Sequence, residues 1–279
     1  MEKKDIQKLA LDNIDIPSLP PVAVMVLNLA EKETTSLDDL NDIISRDMSF
    51  SSRVLKIANS PFYGRHEVSD IPGAINMIGF DAMVSLVVGA ASRDIYRRNN
   101  IFEARLWEHS LAVSLAATLV CERTGAAKID DSLVAGLMHD TGKAVMNHNL
   151  EQYYAKVIEM AESTGFRYAE AETEIFGYNH TDAGGVVARA WNLPQSLQTV
   201  MEHHHSEPYP GGLSPQQAGL CDIVRVADSI CLNHGFGIHK AVPLEKEAMQ
   251  RIGLTDEMAE KIMEEMPEKF IQQRERFFD

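Results

Sequence analysis

Apolar residues recur at spacings of three and four along almost the whole chain, which is typical of α-helices with one buried face. Alternation with a period of two, which would predict β-strands, is rare, and Gly, Pro, Asn or Ser mark the joints between apolar segments. The pattern predicts helices over residues 21–32, 37–45, 47–58, 82–91, 106–124, 131–139, 142–147, 151–163, 168–176, 181–191, 195–204 and 215–234. We therefore predict an all-α fold, a multi-helix bundle.

Local signals refine the ends of these helices. Ser36 with Asp39 three residues later predicts a capping box, and Gly125 predicts the C-cap of a central helix that is apolar nearly all round. The run 71–73 predicts a loop, since it contains Pro and Gly. The segment 245–279 mixes Met and Phe with dense charge and predicts one or two amphipathic helices, docked on the body or on a second subunit. We divide the chain into an N-terminal helical subdomain, 15–98, a second helical subdomain, 99–240, and a C-terminal amphipathic extension, 241–279.

Histidines and aspartates that could bind metal are spaced about one or two helices apart. The candidate ligands are His109, His139, Asp140, His180, His203, His204 and Asp228. Neutral imidazole suits iron, zinc, manganese or nickel, and an aspartate lying between two ions can bridge them. Adjacent His139 and Asp140 end an apolar helix, where burial is costly without a neutralising partner. This pattern predicts a two-metal site inside the helical bundle.

The stretch from His139 to Lys143 resembles the HD superfamily of metal-dependent phosphohydrolases. That pattern is a lone His, a His-Asp pair with a nearby Lys, and a distant Asp, matched here by His109, His139-Asp140, Lys143 and Asp228. The resemblance implies a helical bundle of the HD-domain type in which Asp140 bridges two divalent ions and serves catalysis. It also implies that Lys143 is a catalytic residue that binds a substrate phosphate.

His180 and the His203-His204 pair resemble the additional ligands of the HD-GYP branch, which degrades cyclic di-GMP. The chain departs from that branch, because the Gly-Tyr-Pro loop is absent and only Tyr209-Pro210 is similar to it. Arg105 also stands where some members carry a Glu for a third metal. The sequence therefore predicts two ions rather than three.

A second resemblance, over residues 16–235, is to the HDOD family of signalling-associated relatives. Its signature is visible as Leu19-Pro20-Pro21, as Asp47 through Asn59 to Gly64, and as Ala74-Ile75 with Ile78 to Phe80. Many members have lost metal ligands and act as interaction modules in bacterial regulation. The resemblance implies bacterial signal transduction and a protein partner, together with a complete set of metal ligands in this chain.

Charge and composition limit the partners. The formal net charge of −15, from 41 acidic against 26 basic residues, argues against a nucleic-acid surface, which needs clustered Lys and Arg. A small phosphorylated ligand or nucleotide stays compatible, because two ions and Lys143 would make a local positive pocket. The longest apolar runs fall short of the ~20 residues that cross a bilayer, and the three cysteines form no CxxC pair. We expect a cytoplasmic protein without membrane contact.

Three functions remain open at this stage. The first is a phosphohydrolase or phosphodiesterase with a signalling role, the second is a non-catalytic HDOD module with a structural metal site, and the third, less favoured, is a di-iron oxygenase. The remaining histidines are predicted at the surface: His205 at a solvated helix end, and His66, His148, His234 and His239 in loops or polar helix ends.

Overall fold

The structure is a computed structural model that describes residues 14–30, 32, 35–59, 67–96, 100–237 and 241–278. Its helices are α1 Pro21–Ala30, α2 Leu37–Ser45, α3 Met48–Ala58, α4 Ile71–Ile78, α5 Phe80–Ser92, α6 Ile101–Thr124, α7 Ile129–Met138, α8 Thr141–Thr164, α9 Tyr168–Phe176, α10 His180–Ala190, α11 Gln195–His203, α12 Pro215–Asn233, α13 Lys246–Arg251 and α14 Asp256–Phe278. A 3₁₀ turn, Arg93–Ile95, follows α5. These ranges contain no β-strand, so the predicted all-α fold is confirmed.

Helix α6 is the central element of the fold. It packs against α7, α12 and α14, and its residues are buried from Leu106 to Cys121 on nearly every side. Gly125 ends it in a left-handed conformation with φ of 64°, as the sequence predicts. Helix α10 packs against both α8 and α11, and α11 packs in turn against α7 and α12.

The N-terminal helices α1 to α5 form a second layer that joins the first through α5 and α7. The predicted capping box on α2 is present, since Ser36 Oγ accepts from the backbone amide of Asp39 and Asp39 accepts from that of Ser36. One apolar core runs from Leu19 to Phe270 through both layers. The part of the HDOD signature at 60–64, together with His66 and His239, lies outside the described residues.

One local expectation was wrong. Residues 71–73 begin helix α4 instead of forming a loop, because Asp70 caps it and Pro72 occupies its first turn, where a missing N–H costs nothing. The joint predicted between helices 142–147 and 151–163 is present inside α8, where the backbone of Leu150 is not helical, with φ of −134° and ψ of 35°.

The C-terminal extension consists of α13 and α14. Helix α14 lies against both α6 and α3, and it buries Ala259, Ile262, Met266 and Phe270 against them. The apolar face of this extension is therefore covered by the body of the same chain. In the part of the chain that the structure describes, every helix is too short or too polar to cross a bilayer.

Candidate metal centre

Six of the predicted ligands come together at one point in the bundle. His109 comes from α6, the His139-Asp140 pair from the turn between α7 and α8, and His180 from the first residue of α10. His204 lies in the turn after α11, and Asp228 lies on α12. Five of these residues have exposures of 2 % or less, while the Asp228 side chain is 15 % exposed. The point where they converge is thus almost closed to solvent.

Each of the four imidazoles is held through its Nδ1 atom. The Nδ1–H of His109 donates to the Phe236 carbonyl at 2.6 Å, that of His139 to the Gly136 carbonyl at 2.8 Å, and that of His204 to the Val200 carbonyl at 2.9 Å. In His180 it donates to the carboxylate of Glu172, at 2.6 Å. A ring that donates from Nδ1 and is neutral carries a bare lone pair on Nε2. All four Nε2 atoms face Asp140.

Several buried acceptors at this point have no hydrogen-bond partner. They are Nε2 of His139, His180 and His204 and Oδ1 of Asp140. An unsatisfied buried acceptor is costly, and a cluster of them is satisfied together by a bound cation. The donor set of imidazole nitrogens and carboxylate oxygens fits a first-row divalent metal.

Asp140 lies between two groups of ligands. Its Oδ2 is 3.3 Å from His139 Nε2 and 3.7 Å from His109 Nε2, while its Oδ1 is 3.3 Å from His180 Nε2 and 3.8 Å from His204 Nε2. We define group A as His109, His139 and Asp228, and group B as His180, His204 and His205; within each group the ligand atoms lie within 4.8 Å of one another. The two oxygens of one carboxylate therefore face two separate groups, which is the arrangement of a bridging ligand.

The carboxylates attract positive charge into this cluster. Burial would raise the pKa of Asp140, but the His139 ring and the Lys143 ammonium, 2.6 Å from Oδ2, hold it well below its usual value. Burial opposes the charge on Lys143, yet the Asp140 carboxylate raises its pKa. Burial likewise opposes ionisation of Asp228, whose pKa falls to about 2 because His109 Nε2 lies 3.1 Å away. Both aspartates are thus held as anions that a cation would neutralise.

Two imidazole rings of group B, those of His204 and His205, are held in the neutral form. Burial lowers the pKa of His204 well below its usual value, and the nearby His139 and His180 lower it further. Burial also lowers the pKa of His205, with His204 and His180 adding to the effect. Neutral imidazole is the form that binds metal, so these rings need lose no proton on binding.

The structure does not bring His203 into either group. Helix α11 ends at His203, so the turn at 204–205, and not the helical step of about 100° per residue, sets the directions of the next two side chains. His203 is half-buried with Nδ1 3.4 Å from Ser206 Oγ, whereas His205, predicted as a solvated residue, lies in group B. The candidate ligand pair at this turn is therefore His204-His205 in place of His203-His204.

The turn that carries this pair is held by Arg225 on α12. Its Nε donates to the carbonyl of His204 at 3.0 Å, and its terminal nitrogens contact the Ser206 carbonyl and the Glu207 carboxylate. Tyr209 packs against the Arg225 guanidinium and donates to Asp222 at 2.8 Å. Tyr209, the residue similar to the Gly-Tyr-Pro loop, thus supports the turn from behind.

Sequence reasoning missed Glu172. This fully buried carboxylate accepts from Tyr154 Oη at 2.5 Å and from both the backbone amide and Nδ1 of His180. A signal was present in the sequence, because Tyr168, Glu172 and Phe176 are spaced by four and share the buried face of α9. A glutamate on such a face needs buried partners, and here they include a candidate ligand.

We expect Glu172→Gln to weaken metal binding at group B by about 10- to 100-fold, as removal of a carboxylate behind a ligating His typically does. The amide keeps the volume but accepts hydrogen bonds more weakly, so the His180 ring loses its fixed tautomer. Competition with a chromophoric chelator would measure the affinity of each ion, and only one of the two ions should bind more weakly. Glu174→Gln, on the exposed side of α9, is the matched control. Unchanged affinity in Glu172→Gln would contradict the orienting role.

His148 was predicted at the surface, but its side chain is only 10 % exposed. Its Nε2 lies 2.8 Å from Oε2 of the fully buried Glu103, which also accepts from Asn147 at 2.8 Å. His234 is partly buried as well. The prediction for His148 failed because its burial depends on a contact between α8 and α6, which sequence spacing does not show.

Two spaces that share lining residues lie beside the centre. The inner one has a volume of about 30 Å³, and its lining includes His109, Lys143, His205 and Asp228. The outer one is an open groove of about 550 Å³. Arg167 and Glu245 line both, and their ion pair of 3.1 Å stands where the inner space meets the outer groove.

Comparison with known proteins assigns the family and the fold. Residues 16–207 match the model of the HDOD domain. A solved HDOD domain protein of unknown function from Geobacter sulfurreducens is 23 % identical, with a TM-score of 0.78 over 99 % of each chain. A Shewanella amazonensis protein, described provisionally as a metal-dependent phosphohydrolase, is 21 % identical, with a TM-score of 0.65 over 96 % of this chain and 95 % of its own.

An uncharacterised protein of Treponema pallidum is 24 % identical over 197 residues. The match covers 70 % of this chain but 38 % of that relative. The chain therefore spans well under half of the length of this relative.

Proposed function

Because this chain belongs to the HDOD domain family, we propose that it is a metal-dependent phosphohydrolase that acts on a small phosphoester in bacterial signal transduction. The observation that carries the proposal is the position of Asp140, whose two oxygens face the imidazoles of group A and group B separately. Iron, manganese, nickel and zinc all suit such a donor set. Similarity of the fold to the Shewanella protein described as a metal-dependent phosphohydrolase supports the same chemistry.

Each residue of the centre has a distinct role in this proposal. Asp140 would bridge two divalent ions, group A would complete the ligands of the first ion, and group B those of the second. Two such ions, when bound, supply Lewis acidity at phosphorus and an acidified water. Lys143 would bind a phosphoryl oxygen as a point charge, since its ammonium lies beside Asp140 and lines the inner space.

The two spaces limit what the centre can accept. A volume of about 30 Å³ holds about two waters, so the body of a substrate would lie in the outer groove and only its phosphoryl group would reach inward. Separation of Arg167 from Glu245 would widen the passage. Four glutamates and the cations Arg167, Arg225 and Lys246 line the outer groove, so its charge does not favour a ligand with several phosphates, and the inner space has room only for a terminal phosphoryl group. A small phosphomonoester therefore fits better than a cyclic dinucleotide.

We expect Lys143→Ala to lower kcat/KM for p-nitrophenyl phosphate by about 100-fold, the scale of removing one group that stabilises charge in a transition state. Metal content should stay at two equivalents, because Lys143 is a partner of Asp140 and contributes no ligand atom. The assay uses protein loaded with manganese, zinc or iron in turn.

Lys156→Ala is the matched control, since Lys156 lies exposed on the same helix. Bis-p-nitrophenyl phosphate and cyclic di-GMP serve as comparison substrates. If metal-loaded protein hydrolyses none of the three phosphoesters, the phosphohydrolase proposal is wrong.

One observation favours a second function, a non-catalytic signalling module that binds a protein partner and uses the metals only to brace the bundle. The inner space is far below the 300–1,000 Å³ of ordinary ligand sites. In that case metal removal would lower the temperature of unfolding, while metal-loaded protein would show no hydrolysis.

A further inference from the structure

A second pocket lies where the N-terminal helices meet α6. It has a volume of about 40 Å³ and is formed by α3, α5, the 3₁₀ turn and α6. Its lining residues are Arg53, Lys56, Ile57, Gly89, Ala90, Arg93 and Trp107. Three side chains of this set are cationic and one is a tryptophan.

Buried donors without partners mark this pocket, just as buried acceptors mark the metal centre. Trp107 is 2 % exposed, and its Nε1–H has no acceptor. The Nε–H of Arg53 is also buried and has no acceptor. A buried indole N–H normally finds a partner, so two unsatisfied donors on residues that line one pocket indicate that an acceptor belongs there. Water or an anion would satisfy them, and the charge of the pocket distinguishes the two.

The local charge agrees with this reading. Asp94 lies 2.9 Å from Arg53 and offsets one of the three cations, and the Arg93 guanidinium lies 5.1 Å from the centroid of the Trp107 ring. Within the described residues, Lys56 forms no ion pair. Lys56 therefore adds positive charge to a pocket that Arg53 and Arg93 also line, in a chain of net charge −15, and an anion would be attracted to it.

The volume restricts the anion to a small group. A pocket of about 40 Å³ holds about three waters, which is near the size of a phosphate group and too small for a sugar or a base. Arginine suits phosphate because its planar fork donates two parallel hydrogen bonds.

We propose that this pocket binds phosphate, either free or as the terminal group of a small phosphorylated molecule, at the junction between the N-terminal helices and α6. Trp107 precedes His109 by two residues on α6, so the two side chains point about 200° apart. The pocket therefore lies on the opposite face of α6 from the metal centre. Phosphate binding at this pocket does not depend on the proposed hydrolytic activity. A bound anion there would contact α6, the helix that carries the candidate metal ligand His109.

Tryptophan fluorescence tests the proposal directly. The chain has two tryptophans, and Trp191→Phe leaves Trp107 as the sole emitter. We expect inorganic phosphate to change this emission along a saturable curve, at an ionic strength held constant with chloride. The same titration with glycerol 3-phosphate distinguishes free phosphate from a phosphorylated molecule as the ligand. Equal affinity indicates that the pocket recognises the phosphate alone, and tighter binding indicates contacts to the rest of the molecule.

Variants in the same background locate the binding site. Lys56→Ala should raise the dissociation constant at least tenfold. Lys261→Ala, an exposed lysine on α14, and Lys143→Ala, at the metal centre, should leave it unchanged. In the chain with both tryptophans, calorimetry should show weaker binding for Trp107→Phe, which keeps a ring but removes the donor. An absent or unsaturable response, equal affinity in Lys56→Ala, or loss of the response in Lys143→Ala would overturn the proposal.

Discussion

Asp140→Ala is expected to lose both metal ions together, although it removes only one ligand residue. Its Oδ1 and Oδ2 face the imidazoles of group B and group A at 3.3 Å each, so each ion would lose a ligand and the charge that offsets its own. The imidazoles that remain carry no negative charge to offset that of the ions. Metal content measured by inductively coupled plasma mass spectrometry should fall from near two equivalents to near zero.

The protein should be purified without a metal-affinity column, and circular dichroism should verify that the variant folds. Asp228→Ala is the matched variant, because Asp228 belongs to group A alone, and it should lose one ion and keep the other. Asp140→Asn, which keeps the volume, covers the case in which Asp140→Ala fails to fold beside an unpaired Lys143. One ion retained in a folded Asp140→Ala protein would contradict the bridge, and so would two ions retained in Asp140→Asn, whose amide keeps a single oxygen ligand.

Gly142→Ala is expected to destabilise the fold by about 3 kcal/mol or more, at the upper end for overpacked interiors. A Cβ on Gly142 would lie 2.0 Å from the His180 carbonyl oxygen and 2.9 Å from the Gly184 amide nitrogen. Both are backbone atoms of α10, so no side-chain rotation relieves the clash, and α8 would have to move away from α10. Urea unfolding of metal-loaded protein would measure the change in the free energy of unfolding.

The same displacement would move His180 relative to Asp140, so binding at group B should weaken along with stability. Gly211→Ala is the matched control, since a Cβ there meets nothing within 4 Å. A Gly142→Ala protein as stable as Gly211→Ala would show that α8 and α10 do not pack at this distance.

Features that depend on neighbouring residues were predictable from the sequence. The burial of α6, its glycine C-cap and the capping box on α2 follow from periodicity and from residues three or four apart, although α6 begins at Ile101, five residues before the predicted start. Asp228 lies on an apolar helix, where a carboxylate is costly without a partner, and helical spacing alone indicates this. Such reasoning needs only the local helix, and the structure agrees with it.

Features that depend on the angle at which a helix ends, or on distant contacts, were not predictable. Whether His203 or His205 joins His204 depends on how α11 passes into the turn that Arg225 holds. The pairing of Glu172 with His180 connects α9 to α10, and that of Glu103 with His148 connects α6 to α8. The sequence pattern contains the residues but not the geometry that pairs them.

The Arg167–Glu245 pair at the narrow entrance has a consequence for how metal identity should be established. The pair lines the inner space of about 30 Å³ beside the candidate ligands, which are themselves nearly closed to solvent, so dissociation is expected to be slow once both ions are bound. A site rich in imidazole has no strong preference of its own among first-row metals beyond their general order of affinity. The metal recovered with the protein will then record which ion was abundant when the chain folded. Identity should be assigned by refolding the chain with each metal in competition, because exchange into the folded protein would measure residence time and not selectivity.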